Sequence, residues 1–473
     1  MNDEPQRSAN EPQRSANEPQ RNADERKEPP PDPRTAPLSM RQAVLIIHGI
    51  GDQRPMDTLR GFVDGIWLHD PQGRRIEGHR AWSAPDTMTD NFELFQIATG
   101  VNQGVRTDFF EFYWADLMTG TRVGAVWRWI VFHLLLRRGL KRASPGFLKA
   151  RRYSRILIPL LLLVVAFCTA HLVRMIISPS LPSLWAFPEL VVVAVFIAIN
   201  MFVKTFAGDA ARYLIASPDN IGARQAIRSR GADLIDKLHD CGKYDRIVVV
   251  GHSLGSVIGY DILAHAFAKR MRDVETPLTP GLSAEISRID ELASGKAPFD
   301  LAAWRAAQQA LSGSAEAGRW RVSDFVTLGS PLTYAHFLVA DDLADFDRRR
   351  REGELATCPP QYDADSIPPS CVVFQRPGRE KASIRHSALF AFTRWTNLYF
   401  PTSRGFVRGD VIGGPLAPNF GAGVQDRAVQ TTHLWGRSLF SHTSYWTSRG
   451  LLGSPNHIEE LAEALRLSGQ SKA

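Results

Sequence analysis

The sequence predicts an α/β protein. Its core is a mostly parallel sheet with helices on both faces, into which a two-helix membrane hairpin is inserted. Three stretches carry that prediction. Ile247-Val-Val-Val250 is a run of four β-branched apolar residues, as suits a strand buried on both faces of a parallel sheet. It passes at once into Gly251-His-Ser-Leu-Gly255, and Val257-Ile-Gly-Tyr-Asp-Ile-Leu-Ala264 then reads as a helix. Val44-Leu-Ile-Ile47 is a second buried-strand run, ending in His48-Gly49. The third stretch, residues 122–207, is strongly basic and then apolar.

Taken in order, residues 1–40 form a tail built on a seven-residue near-repeat, Glu4-Pro-Gln-Arg-Ser-Ala-Asn10, followed by Pro29-Pro-Pro-Asp-Pro33. No position of the repeat is a large apolar residue and each unit carries a proline. Such a segment cannot offset its ordering entropy, so disorder is expected, and it has no apolar core of the kind a signal peptide needs. Residues 41–121 open the globular fold. After the first strand, Arg106-Thr-Asp-Phe-Phe-Glu-Phe-Tyr-Trp-Ala-Asp116 alternates Phe110, Phe112 and Trp114 on one side, as a strand does. Glu111 and Asp116 read as strand-end charges.

Residues 122–207 are expected to meet a membrane. Ten Lys or Arg and no Asp or Glu lie between Arg122 and Arg155. Within them Val126-Trp-Arg-Trp-Ile-Val-Phe-His-Leu-Leu-Leu136 resembles an interfacial helix with aromatic anchors. Two apolar runs follow, Ile156 to Val173 and Leu190 to Val203, each about long enough with its flanks to cross roughly 30 Å of hydrocarbon. Pro159, His171 and Arg174 weaken the first. A hairpin returns the chain to the side it left, and the positive flank places that side in the cytoplasm. The same residues account for the net charge of +7 as contact with anionic headgroups. With no recognisable nucleic-acid-binding pattern, nucleic acid is not the expected partner. Four cysteines without a CxxC spacing fit a reduced, cytosol-facing protein.

Residues 208–473 complete the fold. Helices lead into the strand at 247, with Ala223 to His239 amphipathic. Residues 272–320 read as a polar helical insertion, and Arg321 to Pro331 as another buried strand and turn. Residues 340–370, charged and then proline-rich, are expected to be a mobile excursion. Arg394 to Pro401 reads as a late strand, Val407-Arg-Gly-Asp-Val-Ile-Gly-Gly-Pro415 as a loop with one acid, and Gln425 to His433 as a possible final strand.

Strand, five-residue turn and helix at 247–264 describe a nucleophile elbow, in which Ser253 is pushed above the sheet at a helix N-terminus. A serine hydroxyl needs a base, usually a neutral imidazole, and a carboxylate to fix that imidazole's tautomer. The chain order is Ser, acid, His, and Asp410, which follows a late strand and precedes a glycine turn, is preferred as the acid over Asp324, too early at the start of a strand, and Asp426, too near the last strand. For the base, His442 in the polar loop Ser441-His-Thr-Ser-Tyr-Trp446 is preferred, with His433 in reserve. The backbone N–H groups of Ile50 and Leu254 are the expected oxyanion donors, and His48 is read as support beside that turn.

With His48-Gly49, Gly251-His-Ser-Leu-Gly255, Asp410 and His442 in this order, the chain resembles the α/β-hydrolase superfamily, in its lipase/esterase branch. Gly251 to Asp261 is also similar to intracellular phospholipase-like members. The resemblance covers residues 41–117 and 208–450. It implies a membrane-anchored serine hydrolase acting on ester bonds, those of lipids foremost, by a triad that needs no metal or organic cofactor. The alternative is a non-catalytic, membrane-tethered interaction protein on the same scaffold.

Overall fold

Alternation along the central strands decides the architecture. In β1 (Met40–Ile47), Ala43, Leu45 and Ile47 enter one apolar cluster while Val44 and Ile46 enter another. In β5 (Arg246–His252), Ile247 and Val249 join the first cluster and Val248 and Val250 the second. Successive strand side chains point to opposite faces, so a strand that is apolar throughout must be covered on both. Each fully buried side chain of this size stabilises by about 1.5–3 kcal/mol.

This computed structural model describes residues 40–50, 54–118, 145–177, 191–192, 194, 212–214, 218–272, 274–313, 319–402, 409–430, 439–447 and 456–467. Its contacts divide the chain into Met1–Leu38 and Ser39–Ala473. The tail expected at 1–40 lies almost wholly outside the described residues, as do 119–144, including the basic helix expected at 126–136.

Besides β1 and β5, the main sheet contains β2 (Ala81–Pro85), β3 (Phe95–Asn102), β4 (Val105–Phe112), β7 (Val322–Leu328), β10 (Arg394–Tyr399) and β11 (Gln425–Ala428). Its eight strands run in the order β11-β10-β7-β5-β1-β4-β3-β2. Pairings from β11 to β4 are parallel, whereas β4–β3 and β3–β2 are antiparallel. The sheet is therefore mixed and mostly parallel. A three-stranded sheet, ordered β6-β9-β8, is made by β6 (Glu275–Thr276), β8 (Val373–Gln375) and β9 (Ala382–Ile384).

Helices cover both faces. One face carries α3 (Pro218–Asp240), α4 (Leu254–Met271), α5 (Pro280–Ala293) and α6 (Leu301–Ser312), which supply Ile235, Ile258, Ile289 and Trp304 to the first cluster. The other carries α1 (Asp57–Val63) and α8 (His457–Leu465), through Phe62 and Leu461. The segment expected to be a polar insertion is helical, but α6 buries Trp304, Ala307 and Leu311 completely or nearly so and belongs to the core. The excursion expected to be mobile includes α7 (Leu343–Arg351) and is anchored. Cys358 is fully buried and the Tyr260 hydroxyl donates to the Ala356 carbonyl at 2.8 Å, because a charged surface helix there is followed by a closely packed turn.

The membrane hairpin is not supported. Its first apolar run lies in α2 (Pro145–Ile177), which also contains Arg151, Arg152, Arg155, Pro159 and Arg174. Of the second run, only 191–192 and 194 are described. Among the described residues no helix is long and apolar enough to cross a membrane. What α2 does present is exposed apolar surface, with Leu163 68% and Phe167 67% exposed.

On the two adjoining strands β7 and β10, the carboxylate of Asp324 receives two hydrogen bonds from Arg394, at 3.0 and 2.9 Å, with both side chains buried. Burial alone would raise this carboxyl. Arg394 and Arg246 outweigh it and hold Asp324 below the usual range. Removing one member strands the other, so Asp324→Asn is expected to cost about 3–5 kcal/mol in urea denaturation. A loss below about 1 kcal/mol would place the pair among solvent-exposed ones.

Candidate active site

The site is built where the parallel strands end. Ser253 follows the last residue of β5 and precedes the first of α4, with φ 52° and ψ −127°. Such a backbone costs about 1–3 kcal/mol for a side-chain-bearing residue, so its neighbours must hold it. The Ser253 N–H donates to the Leu328 carbonyl at 2.9 Å, and the Ser253 carbonyl accepts from the Ser256 N–H at 3.0 Å and the Ser256 hydroxyl at 2.6 Å. The flanking glycines have a steric reason. A Cβ at Gly255 would lie 2.2 Å from the Ile47 carbonyl oxygen, and one at Gly251 would lie 2.5 Å from Ser256 Cα. Only glycine lets α4 start this close to β1 and β5.

Asp410 is fully buried beyond β10, tied back by its N–H to the Phe400 carbonyl at 3.1 Å. Its Oδ1 accepts from the Ile412 N–H at 2.8 Å. Its Oδ2 accepts from His442 Nδ1 and from the Tyr445 hydroxyl, each at 2.8 Å. Burial pushes this carboxyl up, but the adjacent His442 and the hydrogen bonds from His442, the Gly413 N–H and Tyr445 bring it down to about 2. Asp410 is thus an anion at neutral pH.

His442 lies on the short 3-10 turn Leu439–Thr443. Since the carboxylate can only accept, Nδ1 carries the proton and Nε2 presents a lone pair. Nε2 is buried and has no hydrogen-bond partner among the described residues. That tautomer is the one a general base needs.

Ile50 and Leu254 bring backbone N–H groups to the same end of the sheet. Leu254 is the first residue of α4, so its N–H has no acceptor within the helix. Ile50 follows Gly49, where a Cβ would approach Ser253 Cβ to 3.0 Å. His48, fully buried, has the supporting place expected of it. Its Nδ1–H donates to the Gly49 carbonyl at 2.8 Å, its Nε2 accepts from the Trp114 N–H at 3.3 Å, and its ring stacks on Trp114 at 4.9 Å. Burial lowers its pKa to about 4, which keeps both bonds intact at neutral pH.

The rival residues sit elsewhere. Asp324 is held by Arg394, as above. Asp426 accepts from Asn397 Nδ2 and from the N–H groups of Leu416 and Ala417, and so caps a turn. His433 lies outside the described residues. Asp116 pairs with Arg230 at 2.8 Å. Glu111 is fully buried inside β4, accepts from the Met56 N–H at 2.8 Å, and is raised to about 7, chiefly by burial. Two contributors escaped sequence reasoning, Tyr445 and His252. Neither stands at a spacing that marks a role, although both lie within the stretches that drew attention. Among the described residues, no group of His, Cys, Asp or Glu is placed to hold a metal ion. No protein-family model, curated protein or solved structure matches the chain.

Asp410→Ala leaves the Tyr445 hydroxyl and the Ile412 N–H without their acceptor, and is expected to cost about 1–3 kcal/mol at pH 7. Because the folded carboxyl titrates below its unfolded value, that stabilisation is complete above the ordinary range of about 3.9. It should fade as the pH falls toward about 2. Urea denaturation of wild type and variant across this range checks it: a stability difference unchanged between neutral pH and pH 2 would refute the ionised form.

Proposed function

We propose that this chain is a serine hydrolase of the α/β-hydrolase superfamily, in its lipase/esterase branch, acting on ester bonds of lipids at a membrane surface. The observation that carries the reading is the Asp410–His442 pair at 2.8 Å, at the same end of the sheet as a serine whose backbone is held at φ 52° on a helix N-terminus.

In this reading Ser253 Oγ attacks the ester carbonyl carbon as its proton passes to His442 Nε2. Asp410 stabilises the resulting imidazolium, and the carbonyl oxygen, now negative, lies against the N–H groups of Ile50 and Leu254. Collapse expels the alcohol, which takes the proton from His442, and leaves an acyl group on Ser253. Water then attacks the acyl carbon, giving its proton to His442, and Ser253 leaves with that proton restored. In this reading the developing charges are met by Asp410 and by backbone N–H groups fixed in the fold, which lowers the reorganisation needed at the moment of reaction.

A membrane substrate is supported by α2 and the residues before it. Basic side chains occupy its first turns and exposed leucine, isoleucine and phenylalanine side chains follow, the arrangement that seats a helix among anionic headgroups and acyl chains. The basic flank favours the cytoplasmic leaflet. An acyl chain passing directly from the bilayer avoids an exposure to water that would cost about 0.8 kcal/mol per methylene, so long-chain esters should outcompete acetates.

A fluorophosphonate probe tests the chemistry. The full-length chain should be labelled once, at Ser253. Labelling should vanish in Ser253→Ala and slow by several powers of ten in His442→Ala. Absence of labelling in folded wild type would leave the scaffold reading in its place.

Vesicle flotation tests the membrane. Leu163→Glu combined with Phe167→Glu should weaken binding to anionic vesicles at least about tenfold, since each exposed side chain contributes on the order of 1.5 kcal/mol or more when buried in lipid. Equal flotation of the two proteins, with melting unchanged, would sink this part of the proposal.

A further inference from the structure

His252 precedes the nucleophile and closes β5, and the chemistry outlined above does not use it. It is 9% exposed, and its surroundings come from every part of the site. Its Nε2 lies 2.7 Å from the main-chain carbonyl oxygen of His442. Its ring lies 5.0 Å from that of His442, 6.0 Å from Tyr445 and 4.9 Å edge-on from Trp446. On its other side is the oxyanion turn, where a Cβ on Gly49 would come within 3.0 Å of His252 Nδ1.

We infer that His252 is a positioning residue, which holds the main chain of the base at a set distance from the nucleophile by donating an Nε2–H hydrogen bond to the His442 carbonyl. The inference deepens the hydrolase reading and rests on it. A carbonyl can only accept, so the proton of His252 is on Nε2 and its Nδ1 carries the lone pair. Asp410 grips the imidazole of His442, and His252 grips the backbone that carries it. The two bonds originate from different parts of the sheet edge, Asp410 beyond β10 and His252 at the end of β5. Together they leave the base little freedom to rotate away from Ser253, the adjacent residue on the same elbow. A histidine suits this place only if it stays uncharged when His442 takes up a proton beside it. Burial, with the charge on His442 adding, lowers His252 to about 3, against weaker raising effects of the hydrogen bond and of Asp410. His48, the remaining titratable neighbour, adds the smallest lowering effect.

The test uses the full-length chain, with the rate of fluorophosphonate labelling as readout. His252→Phe keeps the ring's bulk and removes the donor. His252→Gln removes the ring and can place an amide N–H at nearly the same point. Labelling in the Phe variant should fall about 10- to 100-fold, as expected for a base misplaced by a fraction of an ångström to an ångström, with its melting temperature retained. The Gln variant should recover most of the loss. Labelling of the Phe variant within twofold of wild type overturns the inference, as does equal slowing in two folded variants. Nitrogen-15 spectra of histidine-labelled wild type decide the bond without activity. His252 should show a protonated Nε2 and a bare Nδ1 throughout the neutral range. A protonated Nδ1, or titration near the ordinary value of about 6.5, overturns the inference whether or not the serine reacts. Failure of wild type to label, with His252 in the expected tautomer, counts against the hydrolase reading and removes the positioning role with it, while the hydrogen bond itself stands.

Discussion

The site depends on how closely the N-terminus of α4 approaches the ends of β1 and β5. Gly255 sits where any Cβ would meet the Ile47 carbonyl at 2.2 Å, and Gly49 where one would meet Ser253 Cβ at 3.0 Å. This contact lifts Ser253 to the end of the sheet and aims the first N–H groups of the helix beside it. Backing the strained turn off would relax Ser253 into an ordinary conformation and withdraw its hydroxyl. The sheet and both apolar clusters hold the turn against that relaxation. β1 and β5 are central strands, buried on both faces, and cannot shift without disturbing their neighbours.

Around that turn the protein sorts its ionisable groups by environment. Asp410 is buried yet ionised, because the hydrogen bonds it accepts and the adjacent imidazole outweigh desolvation. His48 and His252 are buried without a carboxylate partner, and burial holds both neutral. His442 alone among these three histidines has a carboxylate on one nitrogen and an unoccupied lone pair on the other. Three imidazoles within one site can thus do different work: two orient main-chain carbonyls, at Gly49 and His442, and one is available for proton transfer. The carbonyl of Gly49 shares a peptide group with the N–H of Ile50, so the hydrogen bond from His48 also sets the direction of that N–H.

Helix α2 adds surface of a different character. Its exposed leucine and phenylalanine side chains contrast with the buried stripe of α6, where Trp304, Ala307 and Leu311 recur at helical spacing and face the core. Exposed apolar side chains such as Leu163 and Phe167 leave a surface that can meet another apolar medium. The basic residues in its first turns favour one bounded by anionic headgroups, the basis of the membrane reading.

Much of this was legible along the chain. Runs such as Val44–Ile47 and Ile247–Val250 imply a covered, mostly parallel sheet, because a strand apolar on both faces has no other stable setting. The glycines at 251 and 255 imply a close turn about Ser253, because the absence of a side chain at a fixed spacing is itself a local signal. The spanning hairpin expected from hydropathy is not supported, since among the described residues no helix is long and apolar enough to cross a membrane and most of the second apolar run lies outside them. Nor did periodicity show that Tyr445 and His442 converge on Asp410, or that His252 turns toward the backbone of His442. Those bonds join segments 32 to 190 residues apart in sequence. Side-chain hydrogen bonds of that range leave no repeating pattern in the chain. They exist only once the sheet has brought the ends of β5, β7 and β10 together, so the sequence by itself determined the elbow and the tertiary structure decided what gathers around it.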